Sequence, residues 1–187
     1  MRCFIALSIS DPVKRNILEF IDLLKRYDAN VRWLSREGIH ITLKFLGDVD
    51  ESKIVKIEDS LRTASAMTGR FSLEIRGAGV FPDFSRPGVL WVGAGESEKL
   101  SRLHSDIEEA LYRIGFSRDK RRFKPHVTIG RVKSPVGIRT LLKELRSHKE
   151  SVFGTIDIKE VDLMKSTLKP SGAVYERIFS APLGKED

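Results

Sequence analysis

The chain has 187 residues, of which 41% are hydrophobic and 32% are charged, and its formal net charge is +7. This length and composition are typical of one globular domain and exclude a disordered chain. The positive charge favours polyanionic partners such as nucleic acid, nucleotides or anionic membranes, although it also fits a surface charged only for solubility.

A single cysteine, Cys3, excludes an intramolecular disulfide and a cysteine-based zinc site, which fits a reducing compartment. No apolar run approaches the roughly 18 residues that a membrane-spanning helix needs. The opening stretch MRCFIALSIS lacks the small-residue cleavage pattern of a signal peptide and indicates a first strand. We therefore expect a cytoplasmic protein without a membrane partner.

Apolar spacing predicts alternating strands and helices along the first half of the chain. Alternation with a period of two indicates strands, and apolar residues three and four positions apart indicate helices. The dipeptide Asp11-Pro12 and the later Asp50 are typical helix starts. The predicted order is a strand in CFIALSI, a helix from Asp11, a strand in IHITLKFLG, a helix after Asp50, a strand in FSLEIRG and a loop in GAGVFPDFSRPG.

The second half of the chain repeats this order. It contains a strand in VLWVGAG, a helix over 97–114, a strand in HVTIGRV, a helix over 137–148, a strand in GTIDIKEVDLM and an added strand in YERIFSAPL. We therefore predict an α+β fold, with one bilobal domain over 1–187 and internal repeats of roughly 1–88 and 89–187. Each repeat is a β-α-β-α-β unit, and two pseudo-symmetric lobes of mainly antiparallel sheet with outer helices would enclose a central cleft.

Each repeat carries a His-x-Thr motif in its second predicted strand. His40 with Thr42 and His126 with Thr128 stand at equivalent positions, 86 residues apart. Because side chains two positions apart share one face of a strand, the repeat would bring two imidazoles and two hydroxyls together. One histidine could act as a general base and the other as a general acid, while the hydroxyls stabilise charge on a phosphate. A single such motif is more often structural, so the recurrence carries the hypothesis.

The motifs are poorly suited to a metal ion. The sequence has no His-Glu-x-x-His motif, no cysteine cluster and no acidic residue within either motif. We therefore predict a site without metal or cofactor, whose chemistry is attack on a phosphodiester.

Around these motifs the sequence strongly resembles the RNA 2′,3′-cyclic phosphodiesterase family, also called 2′-5′ RNA ligases, within the two-histidine phosphoesterase superfamily. The resemblance extends over nearly the whole chain. It is carried by RCFIALSI, VRWLSREGIHITLKFLGDV, GAGVFP, LWVGAG, KPHVTIGRVK and DLMKSTLKPSGAVYERI.

This resemblance implies a duplicated two-lobed fold with both chain ends in one lobe. It also implies hydrolysis of RNA 2′,3′-cyclic phosphate ends to 2′-phosphates without metal or ATP, and in some members reversible 2′-5′ joining of RNA ends. By resemblance His40 is the proton donor, His126 is the proton acceptor, and Thr42 and Thr128 hold the phosphate. The expected partner is RNA with a cyclic phosphate end, such as a transfer-RNA half, and no protein partner is inferred.

Two basic residues near the motifs are further candidates for phosphate binding. Strand alternation places Lys44 on the same face as His40, where its ammonium could reach a phosphate oxygen. Arg131 could also pair with phosphate. Alternation places Arg131 opposite to His126 unless the strand bulges at Gly130. A surface ion pair is the alternative role for Arg131.

Three aromatic residues are candidates for stacking on a base. Trp33, Phe45 and Phe81 lie in or near the stretches that flank the cleft, and aromatic rings bind bases of any sequence. Alternation nevertheless favours a core position for Phe45.

Two other functions are compatible with the sequence. A cyclic phosphodiesterase acting on small nucleotides, such as ADP-ribose cyclic phosphate, would use the same residues. A non-catalytic RNA-binding module would be marked by loss of a motif histidine, and neither histidine is missing here. The positive charge modestly favours RNA as the substrate.

Overall fold

The computed structural model of the protein describes residues 1–170 and 172–185. Positions 186 and 187 of the predicted domain, and position 171 within the stretch DLMKSTLKPSGAVYERI, lie outside the described residues. The strands are β1 (Arg2–Ser8), β2 (Val31–Trp33), β3 (His40–Asp48), β4 (Phe71–Phe81), β5 (Val89–Ala94), β6 (His126–Val132), β7 (Val152–Ile158), β8 (Glu160–Lys169) and β9 (Gly172–Pro182). The α-helices are α1 (Asp11–Lys25), α2 (Ile54–Ala66), α3 (Glu98–Arg113) and α4 (Ile138–Ser147).

The strands form one sheet in the order β7-β4-β5-β6-β3-β1-β8-β9, with β2 added beside β6. The sheet has two halves of four main strands each, and they meet where Ile41 of β3 lies opposite Val127 of β6. Neighbouring strands run antiparallel throughout this order. The predicted α+β fold of mainly antiparallel sheet with outer helices is therefore confirmed. Both chain ends lie in one half, since β1, β8 and β9 are on the same side of β3.

The helices pack against the sheet through amphipathic faces. Buried residues recur three and four positions apart, as in Ile17, Ile21 and Leu24 of α1, which is the spacing of a one-sided apolar stripe. Helix α1 packs on β7 and α4, whereas α2 packs on β8, β9 and α3. Each half of the sheet is thus supported by one helix from each sequence repeat, and the lobes are not the sequence halves.

Three details differ from the predicted elements. The stretch GAGVFPDFSRPG is not all loop, because β4 continues through Phe81 in pairing with β5. The stretch GTIDIKEVDLM is two strands that break at Lys159, since β7 pairs with β4 and β8 pairs with β1 in opposite halves of the sheet. The short β2 was not predicted, because its three residues are too few to show a period.

In the described part of the chain, no helix combines the length and the apolar character that crossing a membrane requires.

Candidate active site

The two His-x-Thr motifs lie on the two central strands of the sheet. Strands β3 and β6 are antiparallel neighbours, and Ile41 lies directly opposite Val127. These two side chains are fully buried on the helix side of the sheet. Because side chains alternate along a strand, the histidine and threonine on either side of each one point to the other face. That face is free of the supporting helices and forms the cleft.

The register pairs each motif with the other in reverse order. Extended by one residue in each direction from the pair of Ile41 with Val127, the antiparallel register sets His40 against Thr128 and Thr42 against His126. All four side chains are half-buried, so they are accessible from the cleft but partly removed from water. Diagonal neighbours in an antiparallel pair lie about 7–8 Å apart, which leaves space for a phosphate group between the two imidazoles. The structure therefore brings together all four residues predicted from the repeat.

A β-bulge follows the first motif. In the pairing of β1 with β3, Ala6 lies opposite Thr42 and Ile5 lies opposite Lys44, so Leu43 is the extra residue. An extra residue interrupts alternation, and every later side chain changes face relative to an uninterrupted strand.

The second motif is followed by a bulge at the equivalent position. In the pairing of β5 with β6, Trp91 lies opposite Thr128 and Leu90 lies opposite Gly130, so Ile129 is the extra residue. The duplication has therefore preserved not only the motif but also the irregularity that follows it.

The bulges return Phe45 and Arg131 to the cleft face. Phe45 is 67% exposed and lies beside Phe4, whose ring also contacts His40. The predicted core position for Phe45 is therefore wrong. Arg131 is exposed, and its charge is close enough to His126 to lower the pKa of that imidazole. The bulge on which the placement of Arg131 depended is present.

The same bulge removes Lys44 from the cleft, and the predicted face is wrong. Its side chain is only 2% exposed, and Nζ donates to Glu108 Oε1 at 2.6 Å and to the Ser117 carbonyl at 2.8 Å. Asp119 is 3.7 Å away. Lys44 thus joins β3 to α3 and to the loop before the second motif, and its ammonium is not available to a phosphate in the cleft.

The ring of His126 is held by a backbone carbonyl. Nδ1 lies 2.7 Å from the Lys124 carbonyl oxygen. Because a carbonyl can only accept, Nδ1 carries the hydrogen and Nε2 of the neutral ring has a free lone pair. Burial lowers the pKa of His126, the hydrogen bond to the Lys124 carbonyl opposes this, and the charge of Arg131 lowers it further. Phe81 packs edge-on against the imidazole, with ring centroids 4.8 Å apart.

The ring of His40 is set in an aromatic environment instead. It stacks on Phe4 with ring centroids 4.9 Å apart, and Tyr175 lies edge-on at 5.4 Å. Burial, and next the charge of Lys14, lower the pKa of His40 to about 4. The Glu37 carbonyl acts slightly in the opposite direction, but buried Nδ1 makes no full hydrogen bond with any described residue. In the free protein this imidazole is therefore the less basic of the two.

The three predicted stacking aromatics occupy different places. Phe81 lines the cleft beside His126, and Phe45 lines it on the opposite side. Trp33 packs over Gly130 instead, so closely that a Cβ at Gly130 would lie 3.0 Å from its ring. It lies opposite Gly130 across the β2–β6 pair and belongs to the edge of the core. The proposed base contact of Trp33 is therefore not supported by its position.

Several residues around His40 were not predicted from the sequence. Phe4 and Tyr175 surround the ring, and Ser8 lies opposite His40 in the sheet. Ser8 Oγ donates to Asp162 Oδ2 at 2.6 Å, and Asp162 is almost fully buried. The repeat gives no signal for Asp162 and Tyr175, because these residues lie on β8 and β9, beyond the elements that the two repeats share.

No three histidine, cysteine, aspartate or glutamate side chains are grouped for metal binding in residues 1–170 and 172–185. The motifs and Arg131 give the cleft two imidazoles, two hydroxyls and a guanidinium, and the Asp162 carboxylate is bound to Ser8 beside His40.

Comparison with known proteins identifies the family. The model of the 2′-5′ RNA ligase superfamily matches residues 13–169. The chain belongs to this superfamily. It is 36% identical over 176 residues to a Methanothermobacter thermautotrophicus protein named RNA 2′,3′-cyclic phosphodiesterase, covering 94% of this chain and 95% of that protein. An Archaeoglobus fulgidus protein of the same name is 34% identical, covering 96% and 99%. The resemblance noted from the motifs is thereby confirmed.

Solved structures share the fold. The Thermus thermophilus protein TT0787 matches over 100% of both chains with a TM-score of 0.85 and 24% identity. The apo form of E. coli LigT matches over 98% of both chains with a TM-score of 0.74 and 20% identity.

Proposed function

We propose that the protein hydrolyses RNA 2′,3′-cyclic phosphate ends to 2′-phosphates by a two-histidine acid–base mechanism. The observation that carries the proposal is the register of the central strands, which sets the two His-x-Thr motifs side by side on one open face. The names of the superfamily relatives support the substrate class. We also propose that the chain acts as a single bilobal domain in the cytoplasm, without metal or cofactor, on substrates such as transfer-RNA halves.

The hydrogen bond at His126 supports a role as the base. Its Nδ1 hydrogen is donated to the Lys124 carbonyl, so Nε2 can accept a proton from water. The imidazolium that forms would keep the same hydrogen bond, which becomes stronger when the ring is charged. Water activated in this way attacks the phosphorus from the His126 side.

His40 then acts as the acid. Attack of water on phosphorus breaks the bond to the 3′ oxygen, and this oxygen leaves with the proton of His40 while the 2′ oxygen keeps the phosphate. An isolated His40 with a pKa of about 4 is mostly neutral near pH 7. The anionic phosphate beside the ring favours the protonated form, so binding of substrate supplies the charge that the empty cleft lacks.

The two threonine hydroxyls and Arg131 stabilise the phosphate. Thr42 and Thr128 lie on opposite strands beside the position between the imidazoles, where they can donate to the non-bridging oxygens. Negative charge on those oxygens grows as water attacks, so the hydroxyls bind the transition state more tightly than the substrate. The same proton transfers, with the 5′-hydroxyl of a second RNA end in place of water, would open the cyclic phosphate at its 3′ oxygen and form a 2′-5′ linkage, and this is the proposed basis of ligation.

The test is hydrolysis of an oligonucleotide with a 2′,3′-cyclic phosphate end in the presence of EDTA. We expect a 2′-phosphate product, and a loss of about 10²–10⁴ in rate for His40→Ala and for His126→Ala. His148→Ala is the matched control, because that histidine pairs with Glu144 on α4 and lies outside the cleft. Absence of product from the unmodified protein would refute the activity. Full turnover by either cleft variant would refute the site.

A further inference from the structure

A basic pocket lies beside α4, next to the His126 side of the cleft. It has a volume of about 800 Å³ and is enclosed by α4, the loop 84–87 and the residues that follow β6. Its apolar floor includes Phe84, Val132 and Leu142. Its cationic side chains are Arg86, Lys133, Arg139, Lys143 and Arg146. We call this the α4 pocket.

The cations of the α4 pocket have no acidic partner in the described part of the chain. Within residues 1–170 and 172–185, none of the five takes part in an ion pair. None of the described residues that line the pocket is acidic. Other arginines are paired, for example Arg177 with Glu160 and Arg76 with Glu150. A concentration of unpaired positive charge in a concave site attracts a polyanion.

Helix α4 arranges this charge along one line. Arg139, Lys143 and Arg146 are four and three positions apart, so they project from one side of the helix. The Arg146 guanidinium lies over the ring of Phe84, 4.3 Å from its centre. Cations in a row beside an aromatic and apolar floor are the combination that binds a single-stranded nucleic acid through phosphates and base faces.

Backbone hydrogen bonds join the wall of the α4 pocket to the wall of the candidate active site. Phe81 contacts His126, and its carbonyl accepts a hydrogen bond from Gly88 N at 2.8 Å, which closes the loop that carries Phe84. Gly88 in turn accepts from Val132 N at 2.9 Å. The wall of the cleft and the wall of the pocket are therefore two ends of the same loop. Arg131 stands one residue before the pocket begins.

The acidic residue nearest to this loop does not oppose anion binding inside the pocket. Asp83 Oδ1 accepts hydrogen bonds from the backbone of Ser85 at 2.8 Å and of Arg86 at 3.1 Å. These bonds and the one from the Ser85 hydroxyl lower the pKa of Asp83. The Asp83 carboxylate is thus bound by the backbone of its own loop, and these hydrogen bonds fix the conformation of the loop.

We propose that the α4 pocket binds the RNA strand on the 5′ side of the cyclic phosphate end while that end occupies the cleft. This inference rests on the proposed function and adds the path of the substrate. The strand leaves the cleft on the His126 side, past Arg131, and its phosphates lie along the cations of α4. The pocket thereby distinguishes an RNA end from a free cyclic nucleotide, which fills only the cleft.

The test compares two substrates, each with a pocket variant and with a control variant. Arg139→Ala with Lys143→Ala removes two exposed charges and keeps good helix formers on α4. The control, Lys56→Ala with Lys159→Ala, removes two exposed charges that also lie in no ion pair among the described residues. Steady-state kcat/KM is measured for a nucleoside 2′,3′-cyclic phosphate and for an oligonucleotide with the same end, between 50 and 200 mM salt.

We expect the pocket variant to lose about 20-fold in kcat/KM for the oligonucleotide at 0.1 M salt, since each lost phosphate contact lowers the salt slope by about 0.7. The slope of log kcat/KM against log salt concentration should become less steep by about 1.4. Turnover of the mononucleotide by the pocket variant, and both activities of the control variant, should stay within twofold of the unmodified protein. Unchanged oligonucleotide kinetics would overturn the proposal that the α4 pocket binds RNA, and would favour another ligand such as an acidic protein. Equal losses on both substrates would also overturn it. Failure of the unmodified protein on both substrates would instead refute the proposed function.

Discussion

The two sides of the cleft carry the same motif on the same bulged strand, yet their surroundings differ. After the bulge on the first side come the buried Lys44 and the exposed Phe45. At the equivalent positions on the second side stand Gly130 and Arg131. Duplication has thus preserved the backbone that presents the motif, while the positions after it have become apolar on one side and cationic on the other.

The histidines themselves differ in the same way. His126 is oriented by a hydrogen bond to a carbonyl and stands near a guanidinium. His40 stacks on Phe4 and makes no full hydrogen bond through Nδ1 within the described residues. A symmetric pair of rings would exchange roles freely. In the proposed mechanism these surroundings suit His126 to act as a base of fixed tautomer and His40 to act as an acid whose proton depends on bound phosphate.

The largest expected effect tests the buried ion pair of Lys44 with Glu108, which follows the first motif. Lys44→Ala leaves Glu108 without its partner beneath β3, and we expect the free energy of unfolding to fall by about 3–5 kcal/mol. Chemical denaturation measures the change. The control is Arg76→Ala, which removes exposed pairs with Glu74 and Glu150 and should cost about 0–1 kcal/mol. A loss for Lys44→Ala no larger than that of the control would show that the two sides do not differ in this respect.

The next effect tests the threonine hydroxyls, which both sides of the cleft share. Thr42→Val and Thr128→Val each remove one hydroxyl at constant shape, and we expect each to lower kcat by about 10²–10³, or about 2.7–4 kcal/mol in the activation free energy. The matched variants Thr42→Ser and Thr128→Ser keep the hydroxyl and should retain most activity. If only one valine variant were impaired, phosphate binding would be as asymmetric as the proton transfers.

The smallest effect concerns the titration of the two rings, measured by NMR on the free protein. We expect His40 to gain its proton at lower pH than His126, because burial and the charge of Lys14 lower its pKa to about 4. Lys14→Ala removes a nearby positive charge and should raise the pKa of His40 alone. Arg131→Ala should raise the pKa of His126 alone.

The pH dependence of the activity should also reflect the lowered pKa values of the two histidines. The profile of kcat/KM reports the free protein, in which both pKa values are lowered, so its optimum should lie at lower pH than that of kcat, which reports the complex with the anionic substrate. Identical optima, or a His40 that titrates above His126, would contradict the proposed difference between the rings.

Much of this architecture follows from the sequence. The apolar periods predict the helices and most strands, and the repeat of His-x-Thr predicts which strands meet. The face of Lys44 and of Phe45 could not be predicted, because a bulge depends on the register of the partner strand and not on the residues of the bulged strand. For Arg131 the sequence offered a hint, since the bulge at a glycine was the condition for its cleft position.

The strand pairings beyond the repeat were equally hidden. The stretch GTIDIKEVDLM alternates as one strand, but its two parts pair with β4 and β1 in opposite halves of the sheet. Tyr175, which completes the ring environment of His40, comes from the last strand, where neither a motif nor a repeat marks it. Such contacts depend on the topology and become visible only in three dimensions.

The central claim is that the two histidines perform unequal proton transfers, and one substrate change tests it. A cyclic phosphate with sulfur at the 3′ bridging position has a thiolate leaving group, which needs little help from an acid because a thiol has a pKa of only about 8.5. On this substrate His40→Ala should recover to within about tenfold of the unmodified protein, while His126→Ala should stay impaired by about 10²–10⁴. Recovery of His126→Ala instead, or equal recovery of both variants, would contradict the assignment.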